Sequence, residues 1–217
     1  MHPLAGVWPL FGLSVQVGDL ELRYPTDADL AALAALAADG VHDPAVMPFS
    51  TPWTDAPPEK RAQGTVRWHW QTRATWSPDL WRLSLATVIG GQVVGTQDLA
   101  ASSFAVTLEV ESGSWLGRRF QGSGIGTRMR AAVLDLAFAG LGAATARSGG
   151  FTDNPASLRV SAKLGYRPDG TETWARRGRP ATVQRVVLTR QAWEAGAASR
   201  PAAAIVGLDP CLALFGV

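Results

Sequence analysis

The sequence predicts a mixed α/β fold: a central sheet, mostly antiparallel, with helices on both faces. Three observations predict it. Helical patterning occupies the first third, strand-like runs at 81–88, 92–100 and 107–116 follow as a meander, and two strand-to-helix units complete the order. At 217 residues the chain is long enough to bury one large core, so one domain with decorations is expected.

Residues 1–19 read as an apolar N-terminal arm. Leu4 to Val17 contains Gly6, Pro9 and Gly12, lacks a basic leading region and is too short to span a bilayer. Leu20 to Tyr24 alternates as a strand, and Pro25-Thr26-Asp27-Ala28-Asp29 supplies cap chemistry for an alanine- and leucine-rich helix over 27–39 that Gly40 closes. The segment from His42 to Pro58 reads as a loop with a short helical turn, and Pro58 to Thr75 as a second helix.

Ile89-Gly90-Gly91 fits a tight hairpin between the first two meander strands, and the third, Thr107 to Leu116, runs into a glycine-rich segment. A helix over 124–140 follows, with Ile125, Met129, Val133, Leu136 and Ala137 on one face. Ala143 to Ser148 is a short strand, Asn154 to Leu164 a helix and Thr182 to Thr189 a late strand. Residues 20–194 thus form the expected catalytic unit, and 195–217 a linker and apolar tail that packs on this domain or on a dimer partner.

A single cysteine, Cys211, excludes an internal disulfide framework and a cysteine-rich zinc site, and His2, His42 and His69 are too scattered to suggest a metal site. A reducing cytoplasm, no metal and no membrane partner are the expectations. The formal charge of +2 hides an asymmetry. Between Arg118 and Arg179, ten arginines and Lys163 face Asp135, Asp153, Asp169 and Glu172, which leaves +7 there and −5 in the remainder. Because these bases are spread over several elements without interleaved exposed aromatics, a compact phosphorylated ligand fits better than nucleic acid.

The segment from Trp115 to Thr127, Trp-Leu-Gly-Arg-Arg-Phe-Gln-Gly-Ser-Gly-Ile-Gly-Thr, joins a strand to a helix N-terminus. Its glycines allow a sharp turn that aims several N–H groups at one anion, and the helix dipole adds positive character there. A pyrophosphate suits such a loop. A dinucleotide fingerprint from Gly122 would need glycine or alanine at Thr127 and an acid near 145, and a P-loop would need Lys where Thr127 stands.

Gln121-x-x-Gly124-x-Gly126 resembles the acyl-CoA-binding signature of the GNAT N-acyltransferases. Asn154-Pro-Ala-Ser157-Leu-Arg-Val-Ser161-Ala-Lys163-Leu-Gly-Tyr166 resembles the following unit of that superfamily at the expected separation. The similarity runs from about Leu20 to Trp193 and is nearest the branch of the ribosomal-protein alanine acetyltransferases, some of whose paralogues use succinyl-CoA. The resemblance implies two strands that splay to admit acyl-CoA, with acetyl-CoA or another acyl-CoA as co-substrate. Backbone amides of Gln121, Gly122, Ser123, Gly124, Ile125, Gly126 and Thr127 would hold the pyrophosphate. Trp115 and Leu116 N–H groups would polarise the thioester carbonyl, Arg119 would meet phosphate, and Asn154 and Ser157 would contact the pantetheine or nearby backbone.

Acyl transfer to an amine needs a deprotonated amine, a polarised thioester carbonyl and a proton for the departing thiolate. Glu109 and Glu111 share a strand face and are either the general base or surface glutamates, with Glu111 favoured as nearer the splay. Ser161 stands where many of these enzymes carry a tyrosine acid; it is either the acid or a helix serine bonded one turn back. His42, Phe49 and Trp53 are the expected acceptor-binding residues.

Overall fold

The computed structural model describes residues 2–217. Nine strands form one sheet: β1 Ser14–Val17, β2 Leu20–Arg23, β3 Leu80–Ile89, β4 Gln92–Ser102, β5 Glu109–Leu116, β6 Thr145–Phe151, β7 Arg167–Arg176, β8 Arg179–Thr189 and β9 Ala204–Val206. The helices are α1 Asp27–Asp39, α2 Pro58–Ala74, α3 Phe104–Thr107, α4 Ile125–Asp135, α5 Pro155–Lys163, α6 Arg190–Ala195 and α7 Leu212–Phe215. Across the sheet the order is β7-β8-β6-β5-β4-β3-β2-β1-β9, antiparallel throughout except for β5 beside β6. The mixed α/β expectation holds.

Local chemistry explains the early helices. Thr26 Oγ1 accepts from Asp29 N–H at 3.2 Å while the Asp29 carboxylate accepts from Thr26 N–H at 2.9 Å, a reciprocal capping box that starts α1. Leu30, Leu33 and Leu36 of α1 then bury against Ala86, Val88 and Val93 of the meander on one sheet face. Opposite, α4 and the helical turn that continues it place Met129, Ala132, Val133 and Leu136 against Val15, Leu22, Leu85 and Val110. Two apolar layers therefore clamp the sheet, and its centre is held from both sides.

Three strands lie outside the expected set. Ser14–Val17 joins the sheet as β1, where its alternation buries Val15 and Val17, and Ala204–Val206 pairs with it as β9. Beyond β9, Phe215 is fully buried against Trp76 and Trp81. Arg167–Arg176 forms β7, the outer member of a hairpin with β8. The strand expected over 143–148 instead runs Thr145–Phe151, through Gly149 and Gly150. No helix among the described residues is long and apolar enough to cross a membrane.

Candidate active site

The parallel pairing of β5 with β6 covers only Glu109–Thr145, Val110–Ala146 and Glu111–Arg147. Beyond it β5 stays bonded to β4 as far as Leu116, and β6 to β8 as far as Phe151, so the two strands part and leave a wedge. At about 3.3 Å per residue, the β5 wall from Ser112 to Leu116 is about 13 Å long. Gly150 keeps the other wall low, since a Cβ there would meet Leu158 and Ser157 of α5 at 3.3 Å.

The glycine loop lies at the open end of that wedge. Gly122 and Gly124 take φ of 79° and 84°, a left-handed conformation costly for other residues, and Gly124 is the N-cap of α4 without any side-chain cap. Among the described residues, the backbone N–H groups of Gly122, Ser123, Gly124, Ile125 and Gly126 make no hydrogen bond, whereas those of Thr127 and Arg128 bond the Gly124 carbonyl. Ser123 turns its hydroxyl to the Phe120 carbonyl at 3.0 Å. The result is a run of unpaired donors at a helix N-terminus, the electrostatic requirement for an anion.

Several expected cofactor contacts have work inside the protein. Gln121 Nε2 donates to the Val41 and Leu116 carbonyls at 2.6 and 3.0 Å, which ties the loop to the α1–α2 connection. Asn154 Oδ1 accepts from Ser157 N–H at 3.3 Å and caps α5. Arg119 is solvent-facing, 3.6 Å from Asp39. Trp115 and Leu116 form the last turn of the β5 wall, with Leu116 buried and Trp115 half-buried.

Strand pleating divides the remaining residues between the two faces. Glu109, Glu111, Gly113 and Trp115 point to the α1 face, where Trp115 packs beside the α1 cluster. Glu109 is ion-paired to Arg147 at 2.7 Å, at the closed end of the wedge; Glu111 is exposed and has no ion pair. Trp115 continues into an aromatic series, with ring centroids 5.9 Å to Trp53, 5.2 Å from Trp53 to Phe49 and 5.6 Å from Phe49 to His42. His42 spends both ring nitrogens: Nδ1 faces the Asp43 carbonyl at 2.8 Å and Nε2 the Thr54 hydroxyl at 2.7 Å. It offers a ring face but no nitrogen to an amine.

The tip of the β7–β8 hairpin holds this aromatic loop. Arg176 donates to Asp153 at 2.6 Å and to the Met47 carbonyl at 3.0 Å, and Arg177 pairs with Asp55 and reaches the Pro44 carbonyl at 3.1 Å. The guanidiniums beside them hold the Asp55 and Asp153 carboxyls below their ordinary pKa.

On the other face, at the wedge apex, lies a buried polar cluster that composition and motif reading missed. Arg130 of α4 is 5% exposed, and its Nη1 donates to Ser148 Oγ at 3.3 Å and Ser161 Oγ at 3.1 Å. Ser148 passes its own proton to the Ser112 carbonyl at 3.1 Å, and Ser161 to the Ser157 carbonyl at 3.4 Å. Tyr166 lies 3.5 Å from Ser112 Oγ, and burial pushes its phenol above the usual range. Among the described residues no carboxylate pairs with Arg130, its Nε has no partner, and burial pulls its pKa below the ordinary value. The signal for it was a lone charge in the stripe Gly126, Arg130, Val133, Ala137 of an otherwise apolar helix face.

Residues 19–167 match the model of the acetyltransferase (GNAT) domain. The chain belongs to the GNAT acetyltransferase family. Among solved structures it is similar to Mycobacterium smegmatis RimJ in complex with CoA-disulfide, with a TM-score of 0.69 and 21% identity over 87% of this chain and 92% of that one. RimL, the ribosomal L7/L12 alpha-N-protein acetyltransferase in complex with coenzyme A, gives 0.64 and 16% over 80% and 95%. YncA, a putative acetyltransferase from Salmonella typhimurium with acetyl-CoA, gives 0.57 and 20% over 80% and 95%. At these identities the likeness is one of fold; the wedge strands and glycine loop fall within the residues that match the GNAT acetyltransferase domain.

Proposed function

We propose that this protein transfers the acetyl group of acetyl-CoA to a primary amine of a small molecule or of a peptide or protein N-terminus. The observation that carries this reading is the run of unpaired N–H groups from Gly122 to Gly126 at an uncapped helix start, opening onto the β5–β6 wedge. Those donors suit the donor's pyrophosphate. The wedge suits its pantetheine arm, with Asn154 and Ser157 alongside and Trp115 and Leu116 on the outer β5 wall, and the thioester lies deeper, toward the apex at Ser112 and Ser148.

The amine then approaches from the α1 face, between Glu111 and the aromatic series of Trp53, Phe49 and His42. Its lone pair forms the C–N bond, the C–S bond breaks, and the proton from nitrogen passes to Glu111 directly or through water. Glu109 is left out, because Arg147 holds it. Attack is direct, with no covalent enzyme intermediate. Arg119, Arg147, Arg176 and Arg177 already pair with protein carboxylates, which supports acetyl; succinyl-CoA is the alternative donor, since Arg118, Arg159, Arg167 and Arg179 have no ion pair among the described residues.

Thermal unfolding with saturating acetyl-CoA, succinyl-CoA, free coenzyme A and NAD tests the donor side. Ligand at about a hundredfold over its Kd adds about 2.7 kcal/mol, a shift of a few degrees for a domain of this size. A rise with the coenzyme A species alone supports the reading, and release of free thiol on adding candidate amines then ranks acyl groups and acceptors. No rise with any of them overturns it. A homodimer is an expectation drawn from the apolar ends and a cytoplasmic place one drawn from cysteine usage; residues 204–206 pair with β1 and Phe215 packs in the same core, while Val7 and Val206 stay exposed.

A further inference from the structure

We propose that Arg130 is a positioning residue that charges the leaving-group side of the cleft, so that coenzyme A departs as a thiolate. This rests on the acyltransferase reading above and adds a part that no motif assigns. The geometry is specific. Ser112 and Ser148 are the first residues past the last β5–β6 pair, and both are tied to Arg130: Ser148 by its hydroxyl and Ser112 through the bond its carbonyl accepts from Ser148. Arg130 also donates to Ser161 Oγ at 3.1 Å. The guanidinium therefore sits at the apex on the face opposite Glu111, which puts base and leaving-group charge on opposite sides of the thioester.

A buried cation costs free energy unless an anion compensates it, and here only neutral hydroxyls and Tyr166 surround it. Facing it are Ser148 from β6, Ser157 and Ser161 from α5, and Ser112 from β5, with Tyr166 beyond them; none is a carboxylate. An anion that forms during the reaction supplies what is missing. A serine hydroxyl is too weak an acid to protonate a thiolate fully, but one that accepts from a guanidinium is polarised to donate a hydrogen bond. As the C–S bond breaks and its electron pair moves to sulfur, the Ser161 hydroxyl turns from the Ser157 carbonyl to the sulfur, backed by Arg130. The nitrogen proton leaves to the base, and the thiolate takes up a proton after release, so no acid is consumed in the step.

The test is the pKa of the coenzyme A thiol bound to the intact protein, followed by thiolate absorbance across pH, with desulfo-coenzyme A as the binding control. The expected result is a thiol titrating at least about one unit below free coenzyme A, equal to a tenfold preference for the thiolate. Arg130→Met should return it to the free value, Arg130→Lys should keep most of the shift, and Ser161→Ala should lose part of it. A general structural defect would weaken coenzyme A and desulfo-coenzyme A equally, whereas loss of the charge weakens only the thiolate. A bound wild-type thiol that titrates like free coenzyme A overturns the inference even if every variant misfolds. Failure of coenzyme A to bind at all overturns the acyltransferase reading with it.

Discussion

The two ends of the cleft are held by different physics. At the donor end, the anion-binding groups are main-chain N–H groups of one contiguous loop, fixed by two left-handed glycines and by the Gln121 side chain. At the acceptor end, the aromatic loop is held by arginines that arrive from more than a hundred residues away, Arg176 to the Met47 carbonyl and Arg177 to Asp55. Main-chain donors cannot be changed by a side-chain substitution, while exposed ion pairs contribute about 0–1 kcal/mol each and weaken in salt. On the proposed reading, donor recognition is thus built to be constant and acceptor recognition to be adjustable.

Four substitutions or conditions probe that contrast. Glu111→Gln, at the junction of the two ends, should lower kcat by about a thousandfold, within the range for a lost general base, while acyl-CoA affinity measured by calorimetry stays put. An unchanged kcat would move the base elsewhere. Next in size is a stability effect that originates in α2, on the side of the aromatic loop. Burial in α2 pulls the His69 pKa from 6.5 to about 4, so below pH 6.5 the unfolded chain binds a proton that the folded one refuses. Stability is full above pH 6.5 and falls toward pH 4 by up to about 3 kcal/mol. Urea melts across that window should show the loss, and His69→Gln should flatten it.

Gly124→Val forces a branched residue into φ 84°, a strain of about 1–2 kcal/mol, and should weaken acyl-CoA binding at least about tenfold with little change in acceptor KM. Equal losses on both substrates would erase the distinction between the ends. The smallest effect should come from Arg177→Ala: acceptor KM rises about two- to fivefold at low salt, converges with wild type at high salt, and acyl-CoA KM does not move.

The same contrast decides what the sequence could reveal. The glycine loop, the α1 capping box and the meander are short-range patterns, and each was readable because one segment carries the whole signal. Arg130 was not, because burial of a charge depends on hydroxyls from β6 and α5 that meet only in the fold. Strand β7 escaped because Arg167–Arg176 is polar on both sides and carries Pro168 and Gly170, so its alternation is absent. Strand β6 reads short because Gly149 and Gly150 look like a turn, whereas Gly149 lies close against Val183 of β8 and Gly150 admits the close approach of α5. The tryptophans divide as well: Trp76 packs on Trp81 in the core, while Trp68 stays 45% exposed with Arg82 over its ring.

The pairing of Ser14 with Val206 has a consequence for biosynthesis. During translation the β1 edge emerges early and waits, unpaired, until the segment that covers it and delivers Phe215 to the core has been made, and that segment comes after α6. Long-range closure of this kind slows folding and leaves a sticky strand edge open in the meantime. The hazard therefore falls on the nascent chain, and slowing synthesis between α6 and β9 or removing residues 204–217 should show as lost soluble yield before it shows as lost activity.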